Sequence, residues 1–367
     1  MGRSVIYHIY WGTAGNAGLY LDEIYQTLTK AGYNQEVFVS YYYPFNYGHK
    51  IFFRYTELGH SIARGKLRLA IRLLELIGAL TYVYVSILMK RPYVVNFSVI
   101  GQMFPIPQFL WMVKKTTKCK IILTCHDVIP FQVGNQSSKS QLEAQRKLLQ
   151  LGDYLLVHNL NSINDLKEYF GVEPKKIIMH GFPIMDLRKL EPQHEKVEKT
   201  TDFLFVGHLR KEKGIEILLN AWVLFHKSVP DAKLVVAGNA PFGLDISKYE
   251  NMNIEFYLHF LSDDEYFNYV ESSRYVVLPY TKGTNSGIIS TVLSLGANVI
   301  TSDISMFQNN PLVSKDDMFI AGDSQSLAKL LEYKYSIKKT NSSRETLDGY
   351  RQRFAEELIA VYKLIFS

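Results

Sequence analysis

The sequence is poor in cysteine: Cys119 and Cys125 are the only two in 367 residues. Both lie in or beside the run CKIILTC. If that run is a strand, six residues hold them about 20 Å apart, too far for a disulfide. They read as buried thiols, and no metal cluster suggests itself. An apolar targeting region is also missing, because Met1-Gly2-Arg3-Ser4 leads at once into a strand-like 5–9 and then Trp11-Gly12. The expected location is therefore the cytoplasm. Acidic residues are scarce in one stretch: from Lys50 to Lys120 twelve Lys or Arg face only Glu57 and Glu75, a local +10 in a chain of net +6. A basic stretch fits an anionic surface, either membrane or nucleic acid, and no recognised nucleic-acid module accompanies it. The expected surface is an anionic membrane, with no nucleic acid as partner.

What is present is globular. With 47% hydrophobic and 21% charged residues there is little room for disorder, and the length suits two domains. The chain is organised around FLFVGHLRKEKGIEILLNA at 203–221. A short apolar run breaks at Gly207, passes through the basic turn 208–214 and opens into an apolar-periodic segment. That is strand, tight turn, helix. Such a turn aims backbone N–H groups and a helix dipole at one spot, and Arg210 and Lys213 add two cations. Its natural guest is a phosphate or diphosphate; the plainer reading is an ordinary turn with solvated lysines.

A second turn tips the balance. After the apolar run 275–278 comes Pro279-Tyr280-Thr281-Lys282-Gly283-Thr284-Asn285-Ser286-Gly287, then the apolar helix 288–295. Two such turns suggest one diphosphate held between them. No Asp-x-Asp triplet occurs in the chain, so neutralisation by Arg210, Lys213 and backbone is expected in place of a bridging metal.

In the first half, 5–9 reads as a strand followed by a glycine-rich turn with Gly12, Gly15 and Gly18, whose spacing is not the dinucleotide fingerprint. Small residues there let a substrate approach the backbone, or simply make a flexible loop. Arg64, Arg68 and Arg72 recur at four-residue spacing opposite Leu67, Ala70, Ile71 and Leu74, a basic amphipathic helix. The almost wholly apolar 73–89 that follows reads as partly buried and partly on a membrane interface, or else as a core helix with a solvated basic edge. The run 121–124 ends in Cys125-His126-Asp127, where parallel sheets place ligands. There His126 can orient or deprotonate a hydroxyl or hydrogen-bond a sugar, or merely satisfy a loop carbonyl. Strands at 35–43, 94–97, 154–157 and 177–179 continue the rhythm, and the charged run 187–199 marks a domain junction. Six strands follow in the second half, with a capping box at Ser262–Glu265 opening a helix.

Together FVGHLRKEKGIEILLNAW, SDDEYFNYVESSRYVVLPY and PYTKGTNSGIISTVLSLGANVITSD resemble the GT-B glycosyltransferases, in particular the family-4 retaining enzymes. The first run resembles their Gly-x-Leu/Ile-Arg-x-x-Lys-Gly turn. The last resembles a subgroup pattern Pro-Tyr-x4-Gln-Ser-Gly, with Asn285 in place of Gln. In the first half RPYVVNF, ILTCHDVIP and DYLLVHNLNSINDLKEYFGVEPKKIIMHGFP fall in family order.

The resemblance implies an α/β fold of two Rossmann-like doubly wound domains facing a cleft. Residues 1–185 would bind the acceptor, 186–345 would bind the nucleotide-sugar, and a helix near 346–367 would pack back onto the first domain. Gly207, Arg210 and Lys213 would hold the diphosphate, with Asn285, Ser286 and Gly287 at its distal phosphate. Gly15 would approach the sugar or phosphate, and Tyr257 and Leu258 would flank the base. Gly12, Asn16, His126 and Asp127 would meet the acceptor. Arg210, Lys213 and His126 would be the catalytic groups. No cofactor or metal is implied beyond the donor, for which a UDP-sugar is preferred to a GDP-sugar. The two glutamates that typical members carry, separated by seven residues, are replaced here by Gly283 and Thr291, leaving Thr291 one weaker ribose contact. The expected activity is metal-independent transfer of a hexosyl-type sugar, with retention, to a saccharide or lipid-linked acceptor in bacterial-type surface polysaccharide or glycan assembly. The rival is a non-catalytic GT-B subunit that activates a partner transferase.

Overall fold

Apolar runs of strand length alternate with stretches of helical period, so successive strands must run parallel with helices as crossovers. The computed structural model bears this out. It describes residues 5–12, 17–57, 59–98, 104–126, 128–129, 138–185, 189, 197–240, 243–283, 287–337 and 344–367. The chain divides into two compact units, Met1–Pro183 with Arg353–Ser367, and Ile184–Gln352.

The first unit holds strands β1 (Val5–Tyr10), β2 (Asn34–Ser40), β3 (His49–Phe52), β4 (Val94–Phe97), β5 (Lys120–Thr124), β6 (Tyr154–Val157) and β7 (Ile177–Met179). They form one parallel sheet in the order β3-β2-β1-β4-β5-β6-β7. Helices α1 (Ala17–Lys30), α2 (Gly65–Lys90), α3 (Ile106–Thr116), α4 (Lys139–Leu149) and α5 (Leu160–Glu168) connect them. Tyr7, Phe38, Phe97, Ile121 and Leu123 fill the core against Leu80, Val83 and Ile87 of α2. Each fully buried side chain of this kind contributes about 1.5–3 kcal/mol.

The second unit holds β8 (Thr201–Val206), β9 (Leu234–Ala237), β10 (Ile254–Tyr257), β11 (Ser273–Leu278), β12 (Asn298–Ser302) and β13 (Met318–Phe319), ordered β10-β9-β8-β11-β12-β13. Its helices are α6 (Ile215–His226), α7 (Asp263–Glu271), α8 (Ile288–Ser294), α9 (Ser305–Gln308) and α10 (Ser324–Ile337). Trp222 of α6 is fully buried against Phe203 and Phe225, and its indole N–H donates to the Met252 carbonyl at 2.7 Å. The capping box at Ser262 and Glu265 forms as expected. The last helix, α11 (Arg344–Phe366), belongs to the first unit from Arg353 onward, where Tyr362 meets Asn96 and Phe366 stacks on Tyr93.

One expectation is corrected. The arginines of α2 do not form a solvated basic edge. Arg68 donates twice and Arg72 once to the Thr56 carbonyl, Arg72 lies over the Phe53 ring, and Glu75 accepts from the Tyr55 N–H and the Thr56 hydroxyl. A carbonyl left without a sheet partner recruits the guanidinium groups. The charged flank therefore faces the protein and the apolar flank faces out.

Candidate functional site

Both sheets reverse their order beside their first strand, β1 between β2 and β4, β8 between β9 and β11. Ligands of such sheets bind outside the strand carboxyl ends at that reversal. In the second unit the turns leaving β8 and β11 are locked together. Gly214 has φ +70°, and a Cβ built on it would lie 1.8 Å from the Pro279 carbonyl oxygen. The Thr281 N–H donates to the Glu212 carbonyl at 2.9 Å, and its hydroxyl to the same oxygen at 3.3 Å. At the neighbouring exit from β9, Gly238 has φ +142° and a Cβ there would meet the Gly207 carbonyl oxygen at 1.8 Å. Backbone packs on backbone at both places, which only glycine permits.

Most of the turn's N–H groups are already spent, on the neighbouring β9 exit or within the turn. Gly207 donates to Ala237, Leu209 to Asn239, Lys213 to Arg210 and Gly214 to Lys211. Its capacity for an anion thus rests more on side chains than the sequence suggests. The Arg210 guanidinium is half-exposed and 4.0 Å from the Glu212 carboxylate. The Lys213 amine sits 3.7 Å from the centroid of the buried Tyr280 ring. Burial pushes its pKa down to about 8, with Arg210 acting in the same sense and Glu212 against. The Tyr280 carbonyl is held by the Ser302 hydroxyl at 2.5 Å. Lys213 is therefore a positioned, poorly solvated cation and not a mobile surface lysine.

The remaining expected donor residues are less concentrated. Gly287 precedes α8, and its carbonyl accepts from the Ser290 hydroxyl and the Thr291 N–H. Thr291 is buried, as is α8 from Ile289 to Ser294. Asn285 and Ser286 lie outside the described residues. Tyr257 is engaged along β10, its hydroxyl donating to Glu255 and its ring against Tyr269, while Leu258 packs on the core. The rings of His208 and Phe260 lie 6.4 Å apart and join the β10 exit to the basic turn.

In the first unit Gly15, Asn16 and Asp127 lie outside the described residues. Gly12 follows Trp11, whose ring packs on Phe52, Phe53 and Phe97. His126 belongs to an arrangement the sequence reading missed. Thr124 of β5 pairs with Leu156 of β6, and Leu156 with Ile178 of β7. Two residues beyond each stands a histidine: His126, His158 and His180. The His126 and His158 rings are 5.3 Å apart and nearly parallel, and His180 meets His158 edge-on at 5.0 Å. Tyr20 packs on both His126 and His158. The His180 Nδ1–H donates to the Gly181 carbonyl at 2.6 Å. Burial lowers the pKa of His126 and of His180 to about 4; it drives His158 well down too, reinforced by the other two rings. All three are neutral near pH 7, so His126 offers a neutral donor or acceptor and no charge. The signal was available: CHD, VHN and MHG each close an apolar run.

Residues 186–340 match the family described as glycosyl transferases group 1, and residues 104–182 match that described as glucosyltransferase 3-like, N-terminal domain. Among solved structures, a glycosyltransferase from Rickettsia africae aligns over all of both chains with a TM-score of 0.63 at 13% identity. Sucrose-phosphate synthase from Thermosynechococcus elongatus aligns over 99% of each chain at 0.62 and 16%. Anabaena HepE, solved in complex with UDP-glucose, aligns over 99% of this chain and 98% of its own at 0.57 and 14%. The chain has the GT-B fold, and its second unit carries a glycosyltransferase group 1 domain. A sequence search of curated proteins returned no match. Within this GT-B chain the locked turns and both cations fall inside the group 1 match, while His126, His158 and His180 fall inside the glucosyltransferase 3-like match.

Proposed function

We propose that this GT-B chain is a metal-independent, retaining glycosyltransferase. It takes a hexosyl-type sugar from a nucleotide-diphosphate donor, a UDP-sugar in preference to a GDP-sugar. The acceptor is a saccharide or lipid-linked saccharide of surface glycan assembly. The observation that carries the reading is the pair Arg210 and Lys213 on a turn that Gly214 fixes to the β11 exit, within the group 1 domain. In the reaction the bond from the anomeric carbon to the diphosphate oxygen breaks with its electron pair left on that oxygen, the acceptor oxygen bonds to that carbon, and the acceptor proton passes to the departing diphosphate. Negative charge grows on the departing diphosphate, and fixed cations in a poorly solvated place stabilise it most. Neutral His126 hydrogen-bonds a sugar hydroxyl in this scheme and aligns the acceptor.

A second reading has one observation behind it. Gly283 stands where typical members carry a glutamate, and a Cβ there would lie 2.9 Å from the Met306 methyl carbon, so a longer side chain needs Met306 to move. A chain without that carboxylate, with Met306 resting in its place, fits a donor-binding, non-catalytic partner of another transferase. The test is nucleotide release from a panel of UDP- and GDP-sugars by wild type and Lys213→Ala, with acceptor extracts and with or without EDTA. Release from one donor, lost in the variant and indifferent to EDTA, supports the transferase. Binding of a donor without release in any acceptor extract favours the partner subunit.

A further inference from the structure

Helix α2 is assembled inside out. Its buried face is Ala79, Leu80, Val83 and Ile87, and its charged residues Arg68, Arg72 and Glu75 are turned to the 53–57 loop. The exposed positions between residues 67 and 89 carry no charge, while Arg68, Arg72 and Glu75 are half-buried. Leu67, Ala70, Leu74, Gly78, Thr81, Val85 and Leu88 recur at three- and four-residue steps, one stripe roughly 32 Å long at 1.5 Å per residue. Its leucines are not marginally exposed, with Leu67 at 63%, Leu69 at 68% and Leu74 at 69%. Soluble surfaces seldom carry so long an apolar patch without a partner. Cations bound it at both ends: Arg64 and Lys66 at the start, Arg91 with Lys115 of the adjoining α3 and Lys118 just beyond it at the finish. None of these five has an ion pair among the described residues, whereas Lys90 and Lys114 are paired with Glu36 and Asp153. Helix α3 is joined to α2 through Tyr84 and Thr116 and exposes Trp111 and Met112.

We propose that this face docks on a bilayer containing anionic lipid, with α2 lying in the interface plane. The length and composition of α2 would suffice to cross a membrane. Crossing would tear Leu80, Val83 and Ile87 from the core of the first unit, so the helix lies on the bilayer and does not span it. The apolar stripe enters the acyl boundary while the flanking cations reach headgroup phosphates. The proposal goes beyond the donor chemistry and does not depend on it, because its readout is vesicle binding.

The experiment is flotation of the full chain with vesicles of phosphatidylcholine alone and of phosphatidylcholine mixed with phosphatidylglycerol, followed by sedimentation velocity without lipid. The wild type binds the mixed vesicles, binds them less at high salt, and shifts the Trp111 emission to the blue. Leu67→Gln with Leu74→Gln lowers partitioning at least tenfold, since each leucine withdraws apolar area from the acyl region. Arg64→Glu with Lys66→Glu lowers it by about tenfold at low salt. Both pairs are exposed, so circular dichroism and melting stay as in wild type. No binding of wild type to the mixed vesicles, or equal binding by the leucine variant, overturns the proposal. A lipid-free dimer that the leucine variant converts to monomer, with no vesicle binding, assigns the stripe to a second copy and overturns it as well.

Discussion

The carboxyl edges of the two sheets share a plan and differ in charge. In the first unit three in-register histidines and Tyr20 gather behind β5, β6 and β7, and burial keeps the rings neutral. In the second, two cations stand on a turn that is fixed by backbone contact with its neighbour. In the proposed function the same parallel architecture serves hydroxyl groups at one edge and a diphosphate at the other.

The sharpest way to break the comparison is Gly214→Ala. Its Cβ collides with the Pro279 carbonyl at a positive φ, so the two turns must separate, at an expected cost on the order of 3 kcal/mol or more. Hydrogen exchange should rise at the β8–α6 turn and at 279–283, and stay unchanged in the first unit.

Acid should act the other way. The histidines titrate near 6.5 when unfolded, while His126 and His180 titrate at about 4 when folded. Between those values the unfolded chain binds more protons, so stability is lost as pH falls from 6.5 through 4, by about 3 kcal/mol for each group at most. Exchange protection of β5–β7 should decline over that window well before that of β8–β11.

A smaller effect sharpens the contrast at high pH. Lys213 loses its charge as pH rises through about 8, so affinity for a nucleoside diphosphate should fall by up to tenfold per pH unit above that. Lys213→Arg should move this limb upward without restoring full affinity, because a planar guanidinium does not sit as the amine does over Tyr280. The smallest change is expected from His126→Gln, which keeps a neutral hydrogen-bonding group: turnover should drop less than about tenfold, with no break in its pH profile between 5.5 and 7.5.

The doubly wound plan was legible in the sequence because short apolar runs and glycine turns recur with it. The strand expected at 203–206 occupies Thr201–Val206, and that at 275–278 occupies Ser273–Leu278. Strand β3 was missed because HKIF, at a sheet edge, has no clear alternation and follows an aromatic loop. Helix α3 went unassigned, although Pro105 and Pro107 stand at its start and proline in a first turn is a start signal. The histidine row escaped because its members stand far apart in sequence and only strand register aligns them. The face α2 turns outward was equally hidden: its Arg and Leu stripes are both visible in the sequence, and the Thr56 carbonyl decides between them.

The proposed function places the diphosphate at the Arg210–Lys213 turn and not at the histidine edge. Calorimetric titration of UDP and GDP into wild type, Lys213→Ala and His126→Ala tests it most directly. Binding of one nucleotide to wild type is expected, weakened by about a hundredfold in Lys213→Ala and changed less than twofold in His126→Ala. Equal affinity in wild type and Lys213→Ala, or a loss in His126→Ala as large as in Lys213→Ala, would contradict it.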